Sequence, residues 1–216
     1  MTIDVKICGI TSEDAMEAAV ENGATFVGLV FFPPSPRSVS AEQAAELLDL
    51  LPEGVVKVGL FVDPDDALLD EVLTRVRLDM VQLHGREPPE RVDAIRQEFA
   101  VQVMKAIPVA TAADLDAADA YVDVADWLLF DAKPPPGADR PGGNATAFDW
   151  SLLGGRDWPL PWMLAGGLDA GNVAEAVRRS GAGAVDVSSG VEDRPGHKNP
   201  EKIAAFLEAV HGIPTP

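Results

Sequence analysis

The 216-residue chain has one cysteine, Cys8, one tyrosine and three histidines, and only 17 Lys and Arg against 35 Asp and Glu. A single thiol excludes an internal disulfide, and with no resolving partner it disfavours a thiol-redox role. His84, His197 and His211 are dispersed without ligand spacing, so no metal constellation is expected. The formal net charge of −18 argues against nonspecific nucleic-acid binding, which needs Lys and Arg to displace counterions. No run approaches a membrane span, and the N-terminus is not a basic-then-apolar signal segment. The expectation is therefore no membrane partner and a cytoplasmic, reducing location. No strand-like run is followed by a G-x-G-x-x-G turn, and no serine occupies a nucleophile elbow. The acidity also constrains ligands. The global field repels an anion, so an anion site must rest on local dipoles and a few placed cations.

What is present is periodic. Eight strand-like runs recur: Ile3–Cys8, Thr25–Phe31, Val55–Val62, Met80–His84, Val101–Ile107, Trp127–Asp131, Trp162–Gly166 and Ala184–Ser189. Helix-like segments such as Ser40–Leu51, Asp66–Val76 and Asn172–Ser180 lie between them. Strands alternating with helices imply parallel pairing through crossovers. Eight units predict a closed (β/α)8 TIM barrel, one α/β domain over residues 1–216, at the short end of the usual range of about 200 to over 400 residues. An open doubly wound sheet is the second reading. Ser12 or Thr11 should cap the first helix, and Ser40 with Gln43 should form a capping box. The Pro/Gly-rich stretch Ala132–Phe148 follows a strand and is too long for an idle connection, so it is expected to cover the C-terminal face; a tolerated insertion is the alternative.

Polar residues gather at strand ends, where barrels build their sites. Strand 1 ends in Cys8, strand 4 in His84, strand 6 in Asp131, and strand 8 in Ser188 and Ser189. Residues two apart share a strand face, which pairs Lys6 with Cys8, Gln82 with His84 and Asp186 with Ser188. A buried Lys6 needs a carboxylate, which Asp131 or Asp186 can supply. Its ammonium should favour the thiolate and lower the Cys8 pKa; a buried structural cysteine is the competing reading. The turns at Gly166 and Gly167 and at Ser188, Ser189 and Gly190 follow strands 7 and 8, the usual place for a barrel phosphate site. Backbone N–H groups there bind phosphate without a basic patch. Arg37, after strand 2, is a candidate clamp for a carboxylate, set against a plain surface arginine.

Together the words "VKICGIT", "GLVFFPPSPRSVS", "VGLFV", "VQLHG", "LLFDAKPPPGADRPGGNATAFDW", "LAGGL", "VDVSSGVE" and "PGHKNPEKI" resemble the phosphoribosylanthranilate isomerase family of tryptophan biosynthesis. The resemblance implies a (β/α)8 barrel performing an Amadori rearrangement. Its substrate is the small molecule N-(5-phospho-β-D-ribosyl)anthranilate, and its product is 1-(2-carboxyphenylamino)-1-deoxy-D-ribulose 5-phosphate. It implies no cofactor and no metal, and either a monomer or a homodimer. By resemblance Cys8 is the general base and Asp131 the general acid. Arg37 faces the anthranilate carboxylate, Asp186 lies near the amine, and Gln82 and His84 touch substrate. Gly143, Gly166, Gly167, Ser188, Ser189 and Gly190 hold the phosphate. Asn144 and Ala145 stand where the family usually has a hydroxyl residue and a glycine. A catalytically silent phosphosugar-binding barrel is the alternative. The related indole-glycerol-phosphate synthase chemistry needs an acidic lysine at a strand end that the chain does not offer.

Overall fold

A computed structural model describes residues 2–134, 142 and 147–214. Gly143, Asn144 and Ala145, with most of the expected cover, lie outside the described residues. Eight parallel strands close into a barrel: β1 Asp4–Cys8, β2 Phe26–Val30, β3 Val56–Phe61, β4 Met80–Leu83, β5 Gln102–Val109, β6 Trp127–Ala132, β7 Trp162–Leu164 and β8 Ala184–Val187. β1 pairs with both β2 and β8, which rules out the open sheet. The α-helices are α1 Glu13–Glu21, α2 Ala41–Leu48, α3 Asp66–Arg75, α4 Pro89–Glu98, α5 Val173–Ser180 and α6 Pro200–His211. Among the described residues, no helix is long and apolar enough to cross a membrane.

Two crossovers depart from the expected α-helix. After β5 the chain forms a 3-10 helix, Ala112–Tyr121. Its inward residues Leu115, Ala118 and Tyr121 recur every three positions, which matches three residues per turn rather than 3.6. Asp114 anchors its start by accepting from the N–H groups of Ala110 and Thr111 at 3.0 and 2.8 Å. Between β6 and β7 the described residues form a single 3-10 turn, Trp150–Leu152. Beyond β8 the 3-10 turn Ser189–Val191 leads into a hairpin, β9 Glu192–Arg194 and β10 His197–Lys198, before α6 begins.

Helix starts follow the sequence signals in part. Ser12 is the N-cap of α1 without a side-chain bond. Ser40 Oγ accepts from Gln43 N at 3.1 Å, but the Gln43 amide turns to the Thr11 carbonyl instead, so half of the capping box forms.

Alternation along each strand sorts the core into two layers. Val5, Ile7, Val27, Leu29, Val103 and their kind pack outward against the helices. Phe26, Val58, Met80, Met104, Leu129, Met163 and Ala184 fill the barrel interior. Lys6, Gln82, Asp131 and Asp186 continue those inward faces and are buried too. The interior is thus apolar below and polar at the C-terminal end of the strands.

Candidate active site

Cys8 ends the inward face of β1 and is 4 % exposed. Two residues earlier Lys6 is fully buried, and its Nζ donates to Asp186 Oδ1 at 2.8 Å. The register explains the pairing, because Lys6 lies directly opposite Asp186 across the β1–β8 seam. Of the two carboxylates the sequence offered for Lys6, Asp186 takes it. Gly28 on β2 stands opposite Cys8. A methyl there would lie 3.0 Å from the sulfur and 3.2 Å from Lys6 Cε, so the missing side chain makes room for the thiol.

The thiol titrates differently from the sequence expectation. Burial pushes the Cys8 pKa up, and Asp186 adds to that; the Lys6 ammonium pulls it down but does not prevail. The sign of the Lys6 effect is as expected, but desolvation is the larger effect. Lys6 itself is held above its ordinary value: burial opposes its charge, and Asp186 and Cys8 outweigh burial.

Asp131 closes β6 and is 7 % exposed. Its Oδ1 accepts the Ala132 N–H at 2.8 Å, and its Oδ2 lies 3.1 Å from His84 Nε2. The other ring nitrogen, His84 Nδ1, lies 2.8 Å from Gln82 Nε2. Gly142 rests on this pair: a methyl there would lie 2.7 Å from His84 Nε2 and 2.9 Å from Asp131 Oδ2. Sequence reasoning placed Gln82 and His84 on one face but gave no sign of their link to Asp131. His197 and His211 are exposed.

Arg37 is not a surface arginine, nor is its whole fork open to a ligand. It is 4 % exposed, and its stem packs on Gly9, next to Cys8. Its Nε and Nη2 donate to Glu192 at 2.7 and 2.8 Å. Lys198 joins them, donating to Glu192 Oε1 at 2.7 Å and to the Ser188 carbonyl at 3.0 Å. Two cations thus share one carboxylate. Burial opposes ionisation of Glu192, but Arg37 and Lys198 hold its pKa below the ordinary range, while burial pushes Lys198 down. Glu192 and Lys198 were missed as site residues. Their words, "SSGVE" and "PGHK", belong to the matching pattern, but only barrel closure brings them to Arg37.

The loops after β7 and β8 meet. Gly166 and Gly167 have φ of +88° and +67°, a conformation glycine adopts freely. Gly190 packs against the Leu168 carbonyl so closely that no side chain fits there. Among the described residues, the N–H groups of Gly166, Gly167, Ser189 and Gly190 donate to no protein acceptor. No group of residues suited to hold a metal occurs among the described residues.

Comparison with known proteins gives this geometry its context. Residues 5–209 match the family described as N-(5'-phosphoribosyl)anthranilate isomerase. The chain is 68% identical over 212 residues to the N-(5'-phosphoribosyl)anthranilate isomerase of Paramagnetospirillum magneticum, covering 98% of this chain and 99% of that one. It superposes on phosphoribosyl anthranilate isomerase from Thermotoga maritima with a TM-score of 0.87 at 38% identity, covering 98% and 100% of the two chains. It is also similar to a phosphoribosyl anthranilate isomerase solved in complex with reduced 1-(o-carboxyphenylamino)-1-deoxyribulose 5-phosphate. The TM-score is 0.85 at 36% identity, with 98% and 100% of the chains covered. A closed eightfold barrel with its one thiol and a buried carboxyl at the strand ends, matched over nearly its whole length, belongs to the phosphoribosylanthranilate isomerase family, the isomerases of tryptophan biosynthesis.

Proposed function

We propose that this isomerase works by acid–base catalysis with Asp131 as the acid and Cys8 as the base. The observation that carries the assignment is their placement. Both end inward strand faces, on β1 and β6, each with a polar neighbour of its own. Asp131 gives its proton to the furanose ring oxygen of phosphoribosylanthranilate as the C1–O bond breaks, leaving an iminium at C1. Cys8 removes the C2 proton, and the released electron pair forms the C1–C2 double bond and neutralises the nitrogen. The enaminol then becomes the ketone by gaining a proton at C1 and losing one from the C2 hydroxyl, so no net proton is consumed. The acid and base address different atoms of one sugar, which suits residues on separated strands.

The surroundings fit the rest of the substrate. Arg37 keeps the Nη1 side of its fork outside the Glu192 pair, and the Arg37–Lys198–Glu192 group carries a net positive charge for the anthranilate carboxylate. Asp186 stands near the amine. The unpaired N–H groups of Gly166, Gly167, Ser189 and Gly190, with the Ser188 and Ser189 hydroxyls, receive the phosphate. The same reading puts the enzyme in the cytoplasm without nucleic-acid or membrane partners, as a monomer or homodimer that sedimentation distinguishes.

The test is metal-free turnover of freshly generated phosphoribosylanthranilate by the wild type, Cys8→Ser and Asp131→Asn. Each variant should lose about 10²–10⁴-fold in kcat while still binding a product analogue. A wild type that binds the analogue without turning substrate over is a silent phosphosugar barrel. A variant that keeps its rate removes that residue from its role.

A further inference from the structure

One buried polar atom beside the acid has no partner. Gln82 is fully buried on β4, its Nε2 faces His84 Nδ1 at 2.8 Å, and its Oε1 is unpaired among the described residues. An orphaned buried carbonyl is costly and calls for a reason. A half-turn of the amide brings Oε1 to Nδ1 and puts the NH2 where the carbonyl stood. Among the described residues no donor holds Oε1 where it is, so the contact with His84 decides the orientation.

Its choice is tied to Asp131. A neutral imidazole donates at one nitrogen and accepts at the other. With the Gln82 NH2 donating to Nδ1, the ring hydrogen is on Nε2 and is donated to Asp131 Oδ2, the arrangement that suits a carboxylate. Asp131 Oδ1 is held as an acceptor by the Ala132 N–H. A proton on this carboxyl therefore belongs on Oδ2, the atom 3.1 Å from His84 Nε2. When the pair takes up one proton more than the neutral ring's own, whether it rests on Oδ2 or on Nε2, Nδ1 bears a hydrogen and needs an acceptor. Gln82 Oε1 is the atom that can reach it.

We propose that Gln82 is a positioning residue whose amide turns with the proton content of the His84–Asp131 pair. The NH2 faces Nδ1 when the pair carries only the neutral ring's own hydrogen, and Oε1 faces it when the pair also holds the proton destined for the sugar. The inference rests on Asp131 being the acid. The neighbouring charged groups are tied elsewhere: Lys105 to Glu87 behind β4, Lys6 to Asp186 on the interior face, and Arg37 and Lys198 to Glu192. Among the described residues, Cys8 above Lys6 and Asp4 below it are the other titratable groups that β1 turns to that face.

The experiment is nitrogen NMR of the full chain labelled in histidine and glutamine, with His84 assigned by its loss in His84→Gln. In Asp131→Asn the side-chain carbonyl stays on the Ala132 N–H, so the amide NH2 faces Nε2 and mimics the loaded carboxyl. At alkaline pH His84 should be the Nε2–H tautomer in the wild type and the Nδ1–H tautomer in Asp131→Asn, with the Gln82 side-chain amide resonance moving in step. Gln82→Met, of similar shape, should lower kcat about tenfold with KM little changed. The same tautomer in both proteins overturns the proposal, as does a Gln82→Met effect confined to KM. Loss of turnover in Asp131→Asn without a change of tautomer leaves the acid in place and removes the coupling. Retained turnover in Asp131→Asn removes the acid itself.

Discussion

At Cys8 burial and a neighbouring cation act in opposite directions on the same sulfur. Burial keeps the thiol protonated in the free protein, and the Lys6 ammonium only moderates this. Under the mechanism proposed above the base is the thiolate, which burial disfavours; the iminium that ring opening would create brings a positive charge beside the sulfur and would favour the thiolate at that step. In the unliganded protein, alkylation of Cys8 by iodoacetamide should be slow at neutral pH and keep rising into the alkaline range. A plateau near neutrality would show that Lys6 wins after all. The second residue-scale constraint is Gly142. Its α-carbon sits so near His84 and Asp131 that a methyl must displace the pair or the backbone. A misplacement of this kind costs roughly 10²-fold, so Gly142→Ala should lower kcat by that order while the fold, read by circular dichroism, is unchanged.

At the scale of elements, the hairpin β9–β10 matters more than its five strand residues suggest. It delivers Glu192 and Lys198, and Glu192 holds Arg37 across 155 residues of chain. Glu192→Gln leaves two buried cations without their carboxylate, which should cost about 3–5 kcal/mol. For a chain of this size that is a fall in Tm on the order of 10 °C at neutral pH. The pH dependence has a definite sign. Glu192 ionises at lower pH when folded than when unfolded, so its contribution is present above the unfolded value and lost as pH falls through the folded one. Melting curves of wild type and variant should therefore converge below about pH 4. A constant gap would place the effect in packing rather than charge. This cluster also marks where the sequence stops being legible. The partner of Lys6 could be narrowed to Asp131 or Asp186, because strand alternation fixes the faces and a buried ammonium demands a carboxylate; which of the two takes it was decided by the β1–β8 register. Arg37 lies in a loop and Glu192 opens a three-residue strand, and neither stretch carries a periodicity long enough to say which way the side chain turns. The 3-10 helix after β5 was likewise hidden, since its period-three stripe is carried by only Leu115, Ala118 and Tyr121.

For the molecule as a whole, the barrel was legible because eight repeats of one strand-and-crossover unit have few ways to bury both sheet faces, and β8 closes on β1 as that count implies. The charge distribution was only half legible. The excess of Asp and Glu is plain in the sequence, but not that four Lys and Arg are buried among the described residues. Lys6, Arg37, Lys105 and Lys198 share Asp186, Glu192 and Glu87. Those cations act over short range, because each is neutralised by or shared with a buried carboxylate. A phosphorylated, carboxylated substrate approaching from solution meets the field of net charge −18 and feels the local donors only near contact. Salt screens the first interaction far more than the second, with a Debye length of about 10 Å at 0.1 M. Raising sodium chloride from about 10 to 150 mM should therefore increase kcat/KM, on the order of two- to threefold, through KM rather than kcat. A protein whose anion site depended on exposed lysines would show the opposite slope. If kcat/KM falls with salt here, the phosphate is held by long-range attraction to cations, and the free N–H groups of the β7 and β8 loops are not its main anchor.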